Sequence, residues 1–155
     1  LQAVERIKFQ PIAYGSTNGQ QKFYYDPTTE KEELVERALQ SFSLVKRENH
    51  YKHVLVKTSN LRTIMNELKL TSLDIVKADI EGLWYDFANE ILDNKIYCKF
   101  VALELELNFE KEQKVEPALQ KAQYICDKFR SNNYDVIINR RRDKLMLEML
   151  FINES

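Results

Sequence analysis

Two carboxylates follow directly after a short apolar segment of this 155-residue chain. The segment covers residues 73–78, and Asp79, Glu81 and Gly82 come next, the glycine being one of only three in the sequence. A helical spacing of apolar residues continues over residues 83–92, so the pattern predicts a strand, a sharp turn and a helix. Ligands of open α/β sheets bind beyond the carboxyl ends of the strands. Asp79 and Glu81 are therefore the first candidates for a functional site.

Carboxylates at the end of a strand can serve several kinds of chemistry. Such a group can orient a substrate, accept the proton of an attacking hydroxyl group, or ligate a divalent metal ion through its oxygen atoms. The alternative interpretation is structural: Asp79 or Glu81 caps the helix that begins near Leu83, where the N–H groups of the first turn favour a negative charge. The residues alone leave both interpretations open.

A second pair of acids lies in the next predicted strand, over residues 100–107. Glu104 and Glu106 share one face of this strand, and their apolar neighbours indicate that the strand is interior. A carboxylate near the end of an interior strand needs a partner or a cleft. Glu104 is the better candidate for the cleft, whereas a solvated edge with ion pairs to lysines is the alternative for both glutamates.

Aromatic and imidazole side chains add less to the site hypothesis. Trp84 continues the apolar stripe of its predicted helix, which favours a place in the core over stacking on a substrate. His50 and His53 lie where a loop enters a strand, and the sequence offers no third ligand beside them, so no metal site is predicted.

Cysteine usage, charge and hydropathy exclude several classes of partner. Cys98 and Cys126 form no closely spaced pair and are predicted to be reduced thiols of the core, which favours a cytoplasmic location. The formal net charge of −1 argues against a nucleic-acid partner, and residues 140–142, three arginines, are predicted to be a solvated hairpin tip. No apolar run approaches the roughly 20 residues that a membrane span needs.

Strands and helices alternate along the chain and predict one α/β domain over residues 1–155. The sheet is expected to be mainly parallel and flanked by helices, with an antiparallel hairpin at its carboxyl-terminal edge. The predicted elements are a hairpin within 7–25, a helix over 29–40, a strand over 53–57, a helix from 59 to 68, a strand over 73–78, a helix over 83–92, a strand over 100–107, a helix from 117 to about 130, and a closing hairpin of 134–138 and 145–152.

In this order the segments resemble the FkbM family of S-adenosylmethionine-dependent methyltransferases. Residues 73–82 read LDIVKADIEG and are similar to the family hallmark, a hydrophobic residue, Asp, two hydrophobic residues, Lys, any residue, then Asp, Ile or Val, Glu and Gly. Residues 54–61 resemble the preceding strand and helix opening, residues 101–104 the following strand that ends in Glu, and residues 9–25 an upstream hairpin. The residues after Asn133 resemble the closing strands.

The resemblance implies a Rossmann-like methyltransferase fold and methyl transfer from S-adenosylmethionine to a hydroxyl group of a small molecule or glycan. Asp79, Glu81 and Glu104 are then the expected catalytic residues, Asp79 first. A carboxylate that orients the hydroxyl group and accepts its proton suits this chemistry.

The chain departs from the family pattern in three respects. Trp84 and Glu106 replace a glutamate and a histidine, and no glycine-rich cofactor turn precedes the matching region. The chain is therefore expected to correspond to the latter part of the family domain and to lack its first strands. An exposed sheet edge then predicts a homodimer or a partner chain that covers it. The alternative hypothesis is a non-catalytic methyltransferase-like remnant that acts as an interaction or structural domain.

Overall fold

The computed structural model describes residues 10–25, 52–80, 82–106, 115–141 and 146–154, with backbone only at Glu106, Val115, Glu116 and Arg141. The predicted helix over residues 29–40, His50 and Glu81 lie outside the described residues. The elements in chain order are β1 (Ala13–Tyr14), β2 (Gly19–Tyr25), β3 (Lys52–Ser59), α1 (Leu61–Leu68), β4 (Leu73–Ala78), α2 (Trp84–Asp93), β5 (Cys98–Glu106), α3 (Val115–Arg130), β6 (Tyr134–Arg141) and β7 (Met146–Asn153).

These strands form a three-stranded sheet of order β1-β3-β2 and a four-stranded sheet of order β4-β5-β7-β6. The α/β class is confirmed, but the prediction of a mainly parallel sheet is wrong. Among the described strands, β1–β3 and β4–β5 are parallel, whereas β2–β3, β5–β7 and β6–β7 are antiparallel. The helical crossovers keep β4, β5 and β6 in one direction. Strand β7 runs in the opposite direction and lies between β5 and β6. The expected closing hairpin therefore forms, but its second strand is an inner strand of the sheet and its first strand, β6, is at the edge.

The hairpin predicted within residues 7–25 is also wrong, because β1 and β2 do not pair with each other in the described part of the chain. Both strands flank β3 instead. The hydroxyl group of Thr58 on β3 donates to the carbonyl oxygens of Thr17 and Gly19 in the turn between them, at 3.1 and 3.3 Å. The Thr58 side chain thus fills the turn, and a Cβ atom at Gly15 would lie only 2.9 Å from Thr58 Cβ.

The core lies between one face of the four-stranded sheet and helices α2 and α3. Alternate residues of β5 and β7 point into it, and Leu103 and Phe151 are buried to 1% and 0% exposure. Phe129 of α3 stacks on Phe151 with 3.9 Å between ring centroids. Trp84 is buried at 6% exposure, which confirms its assignment to the core. The apolar stripes that the sequence predicts for α2 and α3 therefore form the contacts between these helices and the sheet.

Glu90 of α2 joins the two sheets. Its carboxylate accepts a hydrogen bond from the Tyr14 hydroxyl group of β1 at 3.0 Å and another from the backbone N–H of Arg62 at 2.9 Å. Arg62 lies in the first turn of α1, whose N-cap is Asn60, so Glu90 also meets the positive end of that helix. The Tyr14 ring packs edge-on against Phe87, with 4.8 Å between centroids. One carboxylate thus fixes β1 and α1 on α2.

Cys98 and Cys126 are free and buried, which confirms the prediction of reduced core thiols. Burial raises the pKa of the Cys98 thiol to about 11 and also raises the pKa of Cys126. No helix in the described part of the chain is both long and apolar enough to cross a membrane.

We expect the stability of the fold to fall at alkaline pH. The Cys98 thiol ionises near pH 9 when unfolded and only near 11 when folded, so rising pH favours the unfolded chain, which releases the proton first. The free energy of unfolding should drop by about 1 kcal/mol between about pH 8 and about pH 10 from this group. Urea unfolding at a series of pH values measures the drop. In Cys98→Ala the free energy of unfolding should fall less steeply with pH. An unchanged slope in that variant would show that Cys98 does not cause the drop.

Candidate functional site

Asp79 lies just beyond the carboxyl end of β4. The parallel ladder between β4 and β5 has its last pair at Ala78 and Leu103, so Asp79 and Glu104 each lie one residue farther along adjacent strands. The Asp79 side chain is exposed. It makes no hydrogen bond or ion pair with any other described residue. Its carboxylate is therefore open to solvent at the place where the sequence predicts a ligand site.

The turn after Asp79 explains the glycine in this motif. Gly82 has a φ of 77°, a left-handed conformation that other residues rarely adopt. The backbone N–H of Leu83 donates to the carbonyl oxygen of Ile80 at 3.1 Å and closes the turn. Leu83 is the N-cap of α2, and no side chain makes a cap hydrogen bond there. The capping interpretation is thus wrong for Asp79, whereas Glu81 lies outside the described residues.

Glu104 has a partner and also faces a cavity. One of its carboxylate oxygens lies 3.2 Å from Lys77 Nζ on β4, and its side chain is 21% exposed, against 65% for Lys77. Both side chains project from the sheet face opposite the helices. Glu104 therefore both forms an ion pair and lines a cleft, because Lys77 and Glu104 are both part of the cavity wall.

The cavity has a volume of about 390 Å³ and lies on this second sheet face. Its polar lining comes from four side chains, one from each strand of the sheet, which we call the polar row: Lys77, Glu104, Glu148 and Asn139. Ala102 and Leu150 add an apolar floor. The volume falls within the range of small-molecule sites.

Hydrogen bonds and register fix the polar row. Glu104 and Glu148 are direct partners across the antiparallel pair of β5 and β7, which brings two carboxylates together on one face. Lys77 offsets the charge of Glu104, and Asn139 Nδ2 donates to Glu148 Oε2 at 3.0 Å. The sequence did not indicate Glu148 or Asn139. Their signal was the alternation of polar and apolar residues in β6 and β7, which becomes informative only once the strand order is known.

The remaining predicted site residues lie elsewhere or are described by their backbone alone. Glu106 pairs through its backbone with Met146 at the end of β5. His53 is exposed on β3, and its ring lies 5.8 Å from that of Tyr24. In the described ranges, no three side chains of His, Cys, Asp or Glu come together in a way that could hold a metal ion. Arg140 and Arg141 belong to β6, so the prediction of a hairpin tip is wrong for both, and Arg142 lies outside the described residues.

Comparison of the chain with known protein families, with curated proteins and with solved structures found no match. The chemistry of the site therefore rests on its own side chains. The exposed carboxylate of Asp79, which has no partner in the described part of the chain, can accept a proton or a hydrogen bond. Glu104, which is ion-paired with Lys77, lines the cavity, whereas Asp79 is not among the residues that line it.

Proposed function

We propose that this chain is a methyltransferase-type domain of the FkbM kind, which transfers a methyl group from S-adenosylmethionine to a hydroxyl group of a small molecule or glycan. One observation carries the proposal: Asp79 follows the end of β4 with an exposed carboxylate that has no partner among the described residues, at the level of Glu104 on the parallel neighbour β5. The left-handed backbone of Gly82 also supports the proposal, because it accounts for the glycine that follows the two acids. The resemblance of residues 73–82 to the family supports the same function.

The acids of the site suit a positively charged methyl donor. Glu104, fixed by Lys77, would hold the cationic part of the cofactor, since a carboxylate pairs with a positive charge at short range. When bound, S-adenosylmethionine supplies a methyl group on a sulfonium sulfur, which leaves as a neutral thioether. Asp79 would orient the acceptor hydroxyl group and take up its proton, so that the oxygen becomes a better nucleophile.

Isothermal titration calorimetry with S-adenosylmethionine tests this proposal. We expect saturable binding to the wild-type chain, and Glu104→Gln should raise the Kd about tenfold, as expected for the lost charge contact of a carboxylate with the cationic cofactor. Asp74→Asn is the matched control, because Asp74 is an exposed carboxylate of the neighbouring strand β4 that does not line the cavity. This control should leave the Kd unchanged. Equal affinity of wild type and Glu104→Gln would contradict the assignment of Glu104 to the cofactor.

A second candidate function is supported by the open sheet face. Ile75 of β4 and Ile137 of β6 are 72% and 53% exposed, which is unusual for large apolar side chains in a sheet. A non-catalytic domain that binds another protein through this face would explain the exposure and would need no glycine-rich cofactor turn. Absence of any S-adenosylmethionine binding by a chain with a normal circular dichroism spectrum would favour this function over methyl transfer.

A further inference from the structure

Strand β6 is the outer strand of the four-stranded sheet as described and pairs only with β7. It is eight residues long, and Ile137 and Ile138 near its centre are 53% and 49% exposed. Proteins usually protect such edges with short strands, proline or a covering element, because unpaired N–H and C=O groups accept another strand. Among the described strands none pairs with the outer edge of β6, and the length and apolar centre of β6 suit such pairing.

A second copy of the chain can pair with β6 only in certain registers. Two antiparallel edge strands in one continuous sheet are related by a two-fold axis normal to the sheet, which keeps the same face on the same side. Residues that oppose each other must therefore project from the same face, so their numbers must both be odd or both be even. This rule limits the cross-strand pairs that each edge can form with itself.

Strand β6 is self-complementary under this rule. With Ile138 on the axis, Asp135 lies opposite position 141, an arginine, at both ends of the pairing, and Ile137 lies opposite Asn139. Opposite charges in directly facing positions stabilise an antiparallel pair. We propose that two copies of this chain associate through β6, so that their four-stranded sheets form one sheet of eight strands. The proposal does not depend on methyl transfer.

The other outer strand, β4, lacks this property. Its charged residues, Asp74 and Lys77, project from opposite faces, so the two-fold rule never places one opposite the other. Ile75 is nevertheless more exposed than Ile138, at 72%. Exposure alone therefore does not select between the two edges, whereas the charge pattern selects β6.

Sedimentation velocity of the full chain tests the interface. We expect a species of about twice the 18.4 kDa chain mass at concentrations up to about 100 µM, which suits the Kd of a small interface. Ile138→Lys places two like charges at the axis and should give a monomer. Ile75→Lys, the same change on the other edge, should leave the dimer intact. A monomeric wild type, or loss of the dimer only in Ile75→Lys, would overturn the proposal.

Charge exchange tests the register. Asp135→Arg puts like charges at two symmetric places and should weaken the dimer by about tenfold or more. The double variant Asp135→Arg with Arg141→Asp restores opposite charges and should recover the wild-type Kd. Hydrogen exchange of residues 134–141 should slow as the wild-type concentration rises. A double variant no tighter than Asp135→Arg would overturn the proposed register, and concentration-independent exchange would overturn the β6 interface.

Discussion

Replacing Phe129 with alanine is expected to lower the free energy of unfolding by about 4 kcal/mol, the largest stability effect we predict. Phe129 is fully buried. Its ring stacks on Phe151 of β7 and meets Tyr134 of β6 edge-on, with 5.0 Å between centroids. The substitution removes apolar surface and leaves a cavity between α3 and both strands of the closing hairpin. Urea unfolding followed by circular dichroism measures the loss.

A matched control lies on the same helix. Leu119 is 39% exposed, so Leu119→Ala should cost less than about 1 kcal/mol. Phe129→Leu keeps most of the volume and is expected to cost about 1–2 kcal/mol, which keeps the test measurable if the alanine variant does not fold. Equal losses for Phe129→Ala and Leu119→Ala would show that the hairpin does not depend on this stack.

Glu90→Ala is the second substitution with a large expected effect, a loss of about 3 kcal/mol. The change removes the acceptor of the Tyr14 hydroxyl group and of the Arg62 backbone N–H. It also leaves the half-buried Tyr14 hydroxyl without its carboxylate partner and removes a negative charge from the start of α1. The variant should weaken the attachment of the three-stranded sheet to α2. Thermal and urea unfolding both report this change.

A double-mutant cycle isolates the contact. Tyr14→Phe alone should cost about 1 kcal/mol, and the double variant should cost less than the sum of the two single losses, because both remove the same hydrogen bond. Glu67→Ala is the control, since Glu67 forms a surface ion pair with Lys57 at 3.9 Å and no other ion pair or side-chain hydrogen bond within the described residues. This change should alter stability by about 0.5 kcal/mol or less. Strict additivity of the two changes would show that Glu90 stabilises the fold through other contacts.

The sequence predicted the local elements well because their signals are local. The apolar stripe of α2, with Trp84 in the core, follows from helical spacing, and the turn at Gly82 follows from the need for a left-handed residue. The carboxylate of Asp79 at the end of β4 follows from the same segment. These features depend on residues within a few positions of one another, so a single sequence is sufficient to predict them.

The sheet order could not be predicted, and with it the polar row. Whether β7 lies outside β6 or between β5 and β6 is decided by packing between residues far apart in sequence, such as Phe129 with Phe151. The pairing of Glu104 with Glu148 depends on that choice. The separation of β1 from β2 likewise depends on Thr58, whose side chain bonds the turn from the strand between them. The alternation of polar and apolar residues in a strand predicts which face of the sheet each side chain lies on, but it does not predict which strands are adjacent.

The place of β7 also bears on how the chain acquires its shape during synthesis. Residues 146–153 leave the ribosome after every other described strand, yet they supply both ladders that join β5 to β6. Until they emerge, the nascent polypeptide lacks the strand that joins β5 to β6, and the Phe129 ring lacks its stacking partner Phe151. A chain that ends before Met146 would therefore lack an inner strand of the sheet and not an edge strand. We expect such a product to be incompletely folded and to bind chaperones.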